Sequence, residues 1–158
     1  MKVRPLSITD FECVLSWSKD EVFCTSNGWR KRSDEEIRQW WVQCVNNVSD
    51  NYIRKGIEYR GRFIGYADLA NIKDNTAEFG IAIGESALWG KGLGFFAGKS
   101  IIEYASSKDI QVLYAETHET NNRSRNLLGN LGFIEISRNG SEKYLGTETQ
   151  LIQYKLSL

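Results

Sequence analysis

The chain has 158 residues, with 20 Lys and Arg against 20 Asp and Glu, one His, three Cys and one Pro. That length suits one domain that buries its own core without metal or disulfide staples, and the zero formal charge argues against binding nucleic acid by bulk electrostatics. No apolar run approaches a membrane span, and Met1 to Pro5 is basic with no apolar stretch behind it, so neither a membrane partner nor a secretory signal is expected.

Lys2 to Leu6 can start a strand. Thr9-Asp10 offers N-cap chemistry to a short helical stripe of Phe11, Val14, Leu15 and Trp17. Residues 18–32 lack a period and read as an irregular polar and aromatic stretch. Ser33 and Glu36 form a capping box. Behind it Ile37, Trp40, Trp41, Cys44, Val45 and Val48 give the strongest amphipathic helix pattern in the chain.

The period then changes to two. Residues 51–59 and 62–70 read as strands joined at Arg60-Gly61, and Asp74-Asn75 turns into a third strand. There Phe79, Ile81 and Ile83 share one face, and Gly80, Ala82 and Gly84 share the other. A face of small residues lets something approach the backbone closely. A helix from about Gly92 to Ser107 buries Leu93, Ala97, Ile101, Tyr104 and Ala105. Val112 to Thr117 reads as a strand, Asn121 to Leu131 as a short helix, 133–138 and 149–157 as closing strands, and 139–148 as the loop between them.

No repeat, linker or second domain is visible. The expected fold is α+β, a single domain over 1–158. Its sheet is mixed, mostly antiparallel, with about six or seven strands flanked by helices. Cys13, Cys24 and Cys44, odd in number and without C-x-x-C spacing, read as reduced thiols of a cytoplasmic protein. With one His there is no basis for a Cys/His zinc site, and no metal is expected.

Trp89-Gly90-Lys91-Gly92-Leu93-Gly94 lies between an apolar strand and an amphipathic helix. Closely spaced glycines let backbone N–H groups converge, and a helix N-terminus adds partial positive charge, which together suit phosphate oxygens. A tight turn with no ligand is the alternative. A dinucleotide fingerprint fails, because its third glycine would fall at Phe95 and the alternating βα pattern is absent. A P-loop fails on spacing at Gly94 to Ser100, and Gly98-Lys99 would lie inside the helix. Further on, Asn121 and Ser124 can cap the helix that stops at Leu131-Gly132-Phe133.

The strand ending in Gly84-Glu85, the turn Trp89 to Gly94, and Asn121-x-x-Ser124 with Leu131-Gly132-Phe133 together resemble the GCN5-related N-acetyltransferase (GNAT) superfamily. The resemblance extends over the whole chain. The family's Q/R-x-x-G-x-G/A motif maps onto Trp89, Gly92 and Gly94, with Trp89 departing from Gln or Arg. The Trp-Gly-Lys-Gly version resembles the branch of ribosomal-protein N-acetyltransferases and their small-molecule relatives. The resemblance implies acetyl-CoA as cosubstrate and an amine acceptor, either a small molecule or a protein N-terminus. It implies a diphosphate on the amides of Lys91 to Phe95, with Gly90 in the turn and Lys91 adding charge. The pantetheine arm would lie along Ile81, Ile83 and Gly84 like an added strand, with Asn121 and Ser124 lining its tunnel. A monomer or homodimer is expected, since exposed strand edges would permit pairing.

Acyl transfer from a thioester to an amine needs a free-base amine, an oxyanion donor and a proton for the thiolate. The oxyanion donor is expected as a backbone N–H around Gly84. Glu116, five residues before Asn121, is the first choice of base, with Glu78 and His118 next; ordered waters could replace any of them. Many relatives carry a Tyr acid where this chain has Leu128, which leaves Ser124 as the nearest replacement. The acceptor site is expected from the variable parts, the Trp17 to Arg32 stretch, the hairpin at Arg60-Gly61 and the 139–148 loop. There Trp17, Asp20, Phe23 and Trp29 could wall a cationic amine by charge and cation–π contact, or could simply pack. A non-catalytic CoA-binding module of the same fold is the alternative function.

Overall fold

The computed structural model describes residues 1–158. One seven-stranded sheet runs in the order β1-β2-β3-β4-β5-β7-β6. Its strands are β1 (Lys2–Arg4), β2 (Ile53–Tyr59), β3 (Arg62–Lys73), β4 (Thr76–Ile83), β5 (Val112–His118), β6 (Ile134–Tyr144) and β7 (Thr147–Ser157). Every neighbouring pair is antiparallel except β4–β5. The helices are α1 (Phe11–Trp17), α2 (Glu21–Ser26), α3 (Asp34–Asn46), α4 (Leu93–Ser107) and α5 (Asn122–Asn130). The α+β expectation and the mostly antiparallel sheet are met. No helix is long and apolar enough to cross a membrane.

Strand alternation sends alternate side chains to two cores. On one face Ile64, Ala67, Leu69, Ala77, Phe79, Leu113 and Ala115 meet Leu93, Ala97, Ile101 and Ala105 of α4 and Leu128 of α5. On the other, Phe63, Tyr66 and Ala82 meet Phe11, Val14, Trp17, Phe23, Ile37 and Trp41 of α1–α3.

Two expectations are corrected. The irregular 18–32 stretch contains α2, whose N-terminus is capped by the Asp20 carboxylate accepting from the Phe23 amide at 3.1 Å. With only six residues it is too short to display a period. The 139–148 loop is the end of a long hairpin, turned by Leu145-Gly146 with φ of 52° and 80°. Positive φ at both central residues is a tight hairpin turn that usually advertises itself with Asn or Asp at the first position. Here Leu145 occupies that position and hides the signal.

The small-residue face of β4 also has an unexpected occupant. A Cβ on Gly84 would run into the indole of Trp17. What approaches that backbone closely is therefore the protein's own core.

Candidate active site

β4 and β5 stay paired for three rungs only: Thr76 with Val112, Ala77 with Leu113, Glu78 with Tyr114. Beyond them β4 continues along β3, and β5 continues along β7. The two strands separate into a V, which opens a cleft of about 850 Å³. Ile81, Ala82 and Ile83 line one wall; Glu116, Thr117 and His118 line the other.

The phase of the β3–β4 ladder decides which backbone groups the cleft receives. The Gly84 amide donates to the Ile64 carbonyl at 2.7 Å. In an antiparallel ladder this directs Ala82 and Gly84 at β3, and turns the N–H and C=O groups of Ile81 and Ile83 to the open side. The Ile83 carbonyl accepts from the Trp89 indole at 3.0 Å. The remaining groups of that edge face the cleft without a strand partner.

At the mouth of the V the chain turns through Gly90 and Gly92, whose φ values are 76° and 78°. Gly92 is the N-cap of α4 and offers no side chain to its first turn. The first intrahelical amide is that of Phe96, donating to the Gly92 carbonyl at 3.3 Å. The amides of Leu93, Gly94 and Phe95 precede it and have no helical acceptor, and these residues line the cleft. They form an amide-rich, electropositive end suited to an anion. Gly94 also sits against Leu127 of α5, where an added Cβ would lie 3.5 Å from its nearest methyl.

Residues 1–134 match the family model described as an acetyltransferase (GNAT) domain. The chain belongs to this family. It is similar to an uncharacterized protein of Methanocaldococcus jannaschii, at 24% identity over 152 residues that cover 90% of this chain. The chain spans about 30% of the length of that curated relative. Among solved structures, the microcin C7 self-immunity acetyltransferase in complex with acetyl-CoA and AMP is similar with a TM-score of 0.84 at 19% identity, covering 99% of this chain and 91% of that one. The ribosomal-protein-alanine N-acetyltransferase of Brucella melitensis gives a TM-score of 0.76 at 21% identity, with 100% of both chains covered. The parted β4 and β5 are thus the centre of a GNAT acetyltransferase domain.

Several of the residues singled out from the sequence gather in the GNAT cleft: Ile81, Ile83, Trp89, Gly90, Gly92, Leu93, Gly94, Phe95, Glu116, His118, Asn121 and Ser124 all line it. Asn121 is the N-cap of α5, its Oδ1 accepting from the Ser124 amide at 3.1 Å, while its Nδ2 donates to the Tyr144 hydroxyl at 3.2 Å. The Glu116 carboxylate is exposed and accepts from Gln153 Nε2 at 2.7 Å. His118 stacks on Tyr144 with ring centroids 4.3 Å apart, and its buried Nδ1 has no partner.

Others fall outside the cleft. Glu78 stands on the last paired rung, at the closed end of the V, exposed and off its wall. Lys91 is exposed and does not line the cleft. Gly84 spends its amide on β3, so it cannot be the oxyanion donor. Trp17 and Phe23 are both 0% exposed and belong to the core, where no acceptor can reach them. Trp29 packs edge-on against Phe23 and Trp40, with centroids 5.0 and 5.3 Å away. The second oxygen of Asp20 accepts from the Ser86 amide and hydroxyl at 2.9 and 2.7 Å. Those bonds, the amide first, hold its carboxyl below the usual carboxylate range. Leu128, 3% exposed, faces the core.

Of the three variable regions expected to form the acceptor site, two reach the cleft, through Thr25–Gly28 and Lys143–Leu145, while the Arg60-Gly61 hairpin does not. Arg123 was missed, and neither Tyr144 nor Thr25–Gly28 was singled out within its region. Tyr144 comes from the hairpin misread as a loop, and its hydroxyl donates to the Ser26 carbonyl at 3.2 Å. It therefore ties the end of α2 to the start of α5 across the cleft. Arg123 occupies one of the two free positions between Asn121 and Ser124, where the motif carries no signal.

Proposed function

We propose that residues 1–158 act as one domain that transfers the acetyl group of acetyl-CoA to an amine by direct attack, in the cytoplasm and as a monomer or homodimer. One observation carries this reading. The cleft that holds the unpartnered backbone edge of Ile81 and Ile83 also holds the free first-turn amides of α4.

Acetyl-CoA supplies an acetyl group already activated as a thioester. Ile81 would bind the pantetheine amides as an added strand does, and Leu93 to Phe95 would bind the diphosphate through their amides. Asn121 and Ser124 flank the arm. The Ile83 N–H takes over the oxyanion role first expected of Gly84. A lysine-type amine has a pKa of about 10.4 in water, so a base is needed near neutral pH. Glu116 and His118 are the cleft residues able to take that proton, and the Ser124 hydroxyl can return one to the thiolate. Thr25–Gly28 and Lys143–Leu145, which also line the cleft, would form the acceptor side. The two solved relatives described above differ in their named activities, and either a small amine or a protein N-terminus is compatible with a cleft of this shape.

Thiol release from acetyl-CoA, measured against a panel of amines, tests the reading. Turnover with at least one amine is the expected result, and Glu116→Gln should lower kcat and shift the acid limb of its pH profile. An unchanged profile would remove Glu116 as the base. Leu128, buried where many relatives carry a Tyr acid, favours a second reading as a CoA-binding module without turnover. That reading predicts CoA binding by calorimetry with no thiol release from any amine. Absence of binding would sink both.

A further inference from the structure

Two arginines of this chain stack on tryptophan without a hydrogen bond or ion pair: Arg32, on Trp29 and Trp40, lies off the cleft, and Arg123 lines it. The Arg123 guanidinium lies over the face of Trp89, 3.3 Å from the ring centroid. It makes no hydrogen bond and no ion pair, unlike Arg4, Arg54, Arg62 and Arg138, each held by a carboxylate. It lines the same cleft as the amides of Leu93 to Phe95. The acid of the cleft, Glu116, is already engaged by Gln153.

The platform under Arg123 is fixed from below. Trp89 commits its only side-chain donor to the Ile83 carbonyl at 3.0 Å. Its indole cannot itself donate to an anion, but its ring face carries the guanidinium beside the turn. Stacking leaves the planar fork of N–H donors free at its edge. Partial burial without a counter-charge lowers the Arg123 pKa, so the charge is held at a cost that an arriving anion would offset.

We infer that Arg123, stacked on Trp89, is the side chain that binds the phosphate groups of the acyl donor, so that the cation of the anion site comes from α5 rather than from the glycine turn. This rests on the acetyl-CoA reading. The guanidinium pairs with phosphate oxygens while the α4 amides hold the same group from the other side. Arg123 is a binding residue here and touches no reacting atom.

The test compares CoA with a phosphate-free donor, acetyl-pantetheine, on wild type, Arg123→Gln and Arg123→Lys, by calorimetry and by thiol release. Arg123→Gln should weaken CoA binding about ten- to a hundredfold and flatten its salt dependence, yet leave kcat/KM for acetyl-pantetheine within about twofold of wild type. Arg123→Lys, which keeps charge but loses the planar fork, should fall between. Equal CoA affinity in wild type and Arg123→Gln overturns the inference. So does a parallel loss on both donors, which would mean that the side chain only supports the fold. Failure of wild type to bind CoA at all would instead overturn the acetyl-CoA reading.

Discussion

Asp20 illustrates how a residue attractive as a ligand becomes a structural part. One oxygen caps α2 and the other holds Ser86 in the turn that follows β4. Replacing it with Ala removes a helix cap worth about 1 kcal/mol and loosens the approach to the glycine turn. Because its folded pKa is depressed, its contribution is present above the unfolded value of about 4 and is lost as pH falls through the folded one. Urea unfolding should therefore put Asp20→Ala well below wild type at pH 7, with the gap closing towards pH 3. Burial also raises all three thiols, Cys13, Cys24 and Cys44, which fits their reading as unreactive. Trp17, Phe23 and Asp20 were plausible acceptor contacts because aromatic and acidic side chains look alike in a list whether they line a core or a cleft. Depth separates the cases for Trp17 and Phe23, and committed hydrogen bonds do so for Asp20. The cap at Asn121 was legible from its own chemistry, whereas the place of Asn121 and Ser124 at the cleft came only with the family resemblance.

At the scale of elements, local conformational demands decided what could be read. Arg60-Gly61 and Asp74-Asn75 both have positive φ at each residue, and Gly, Asp and Asn announce such turns. The third hairpin, at Leu145-Gly146, was invisible because a Leu in that conformation is uncommon. Leu145 is 57% exposed and gives up little packing. Leu145→Asn should raise stability by roughly 0.5–1 kcal/mol in denaturant unfolding; a loss would mean that its contact with the cleft outweighs the relief of backbone strain. Gly84 makes the opposite case. Its φ imposes nothing, yet the Trp17 indole fills the space a Cβ would take. Gly84→Ala should cost about 1–3 kcal/mol by overpacking, and should disturb the end of β4 where Ile83 faces the cleft. A thermal midpoint equal to that of wild type would show that Trp17 can retreat. The glycine turn itself was legible, since positive φ at Gly90 and Gly92 is a local demand. Arg123 and Tyr144 were not, since their roles arise from which elements meet in space.

For the whole molecule, the sheet consists of two sub-sheets, each drawn from a continuous stretch of chain: β1–β4 before the turn and β5–β7 after it. They meet through the three parallel rungs between β4 and β5. They also meet through the contact of α4 with α5, where an added Cβ on Gly98 would lie 2.7 Å from Leu131. Amide exchange should be faster beside the opening of the V than in the β2–β3 and β5–β7 ladders, and a donor bound in the cleft should slow it at Ile81 and Ile83. Exchange at those amides unaffected by saturating CoA would contradict the added-strand arrangement. The three rungs also have a mechanical meaning. They make the line between β4 and β5 a hinge with a short pin, braced on one face of the sheet by the core that both leaves share. A molecule seated in the V spans both leaves, so it acts on the hinge as a wedge and a clasp at once. Occupancy would then register less as a change of shape than as a stiffening of the joint between two halves that already share one core.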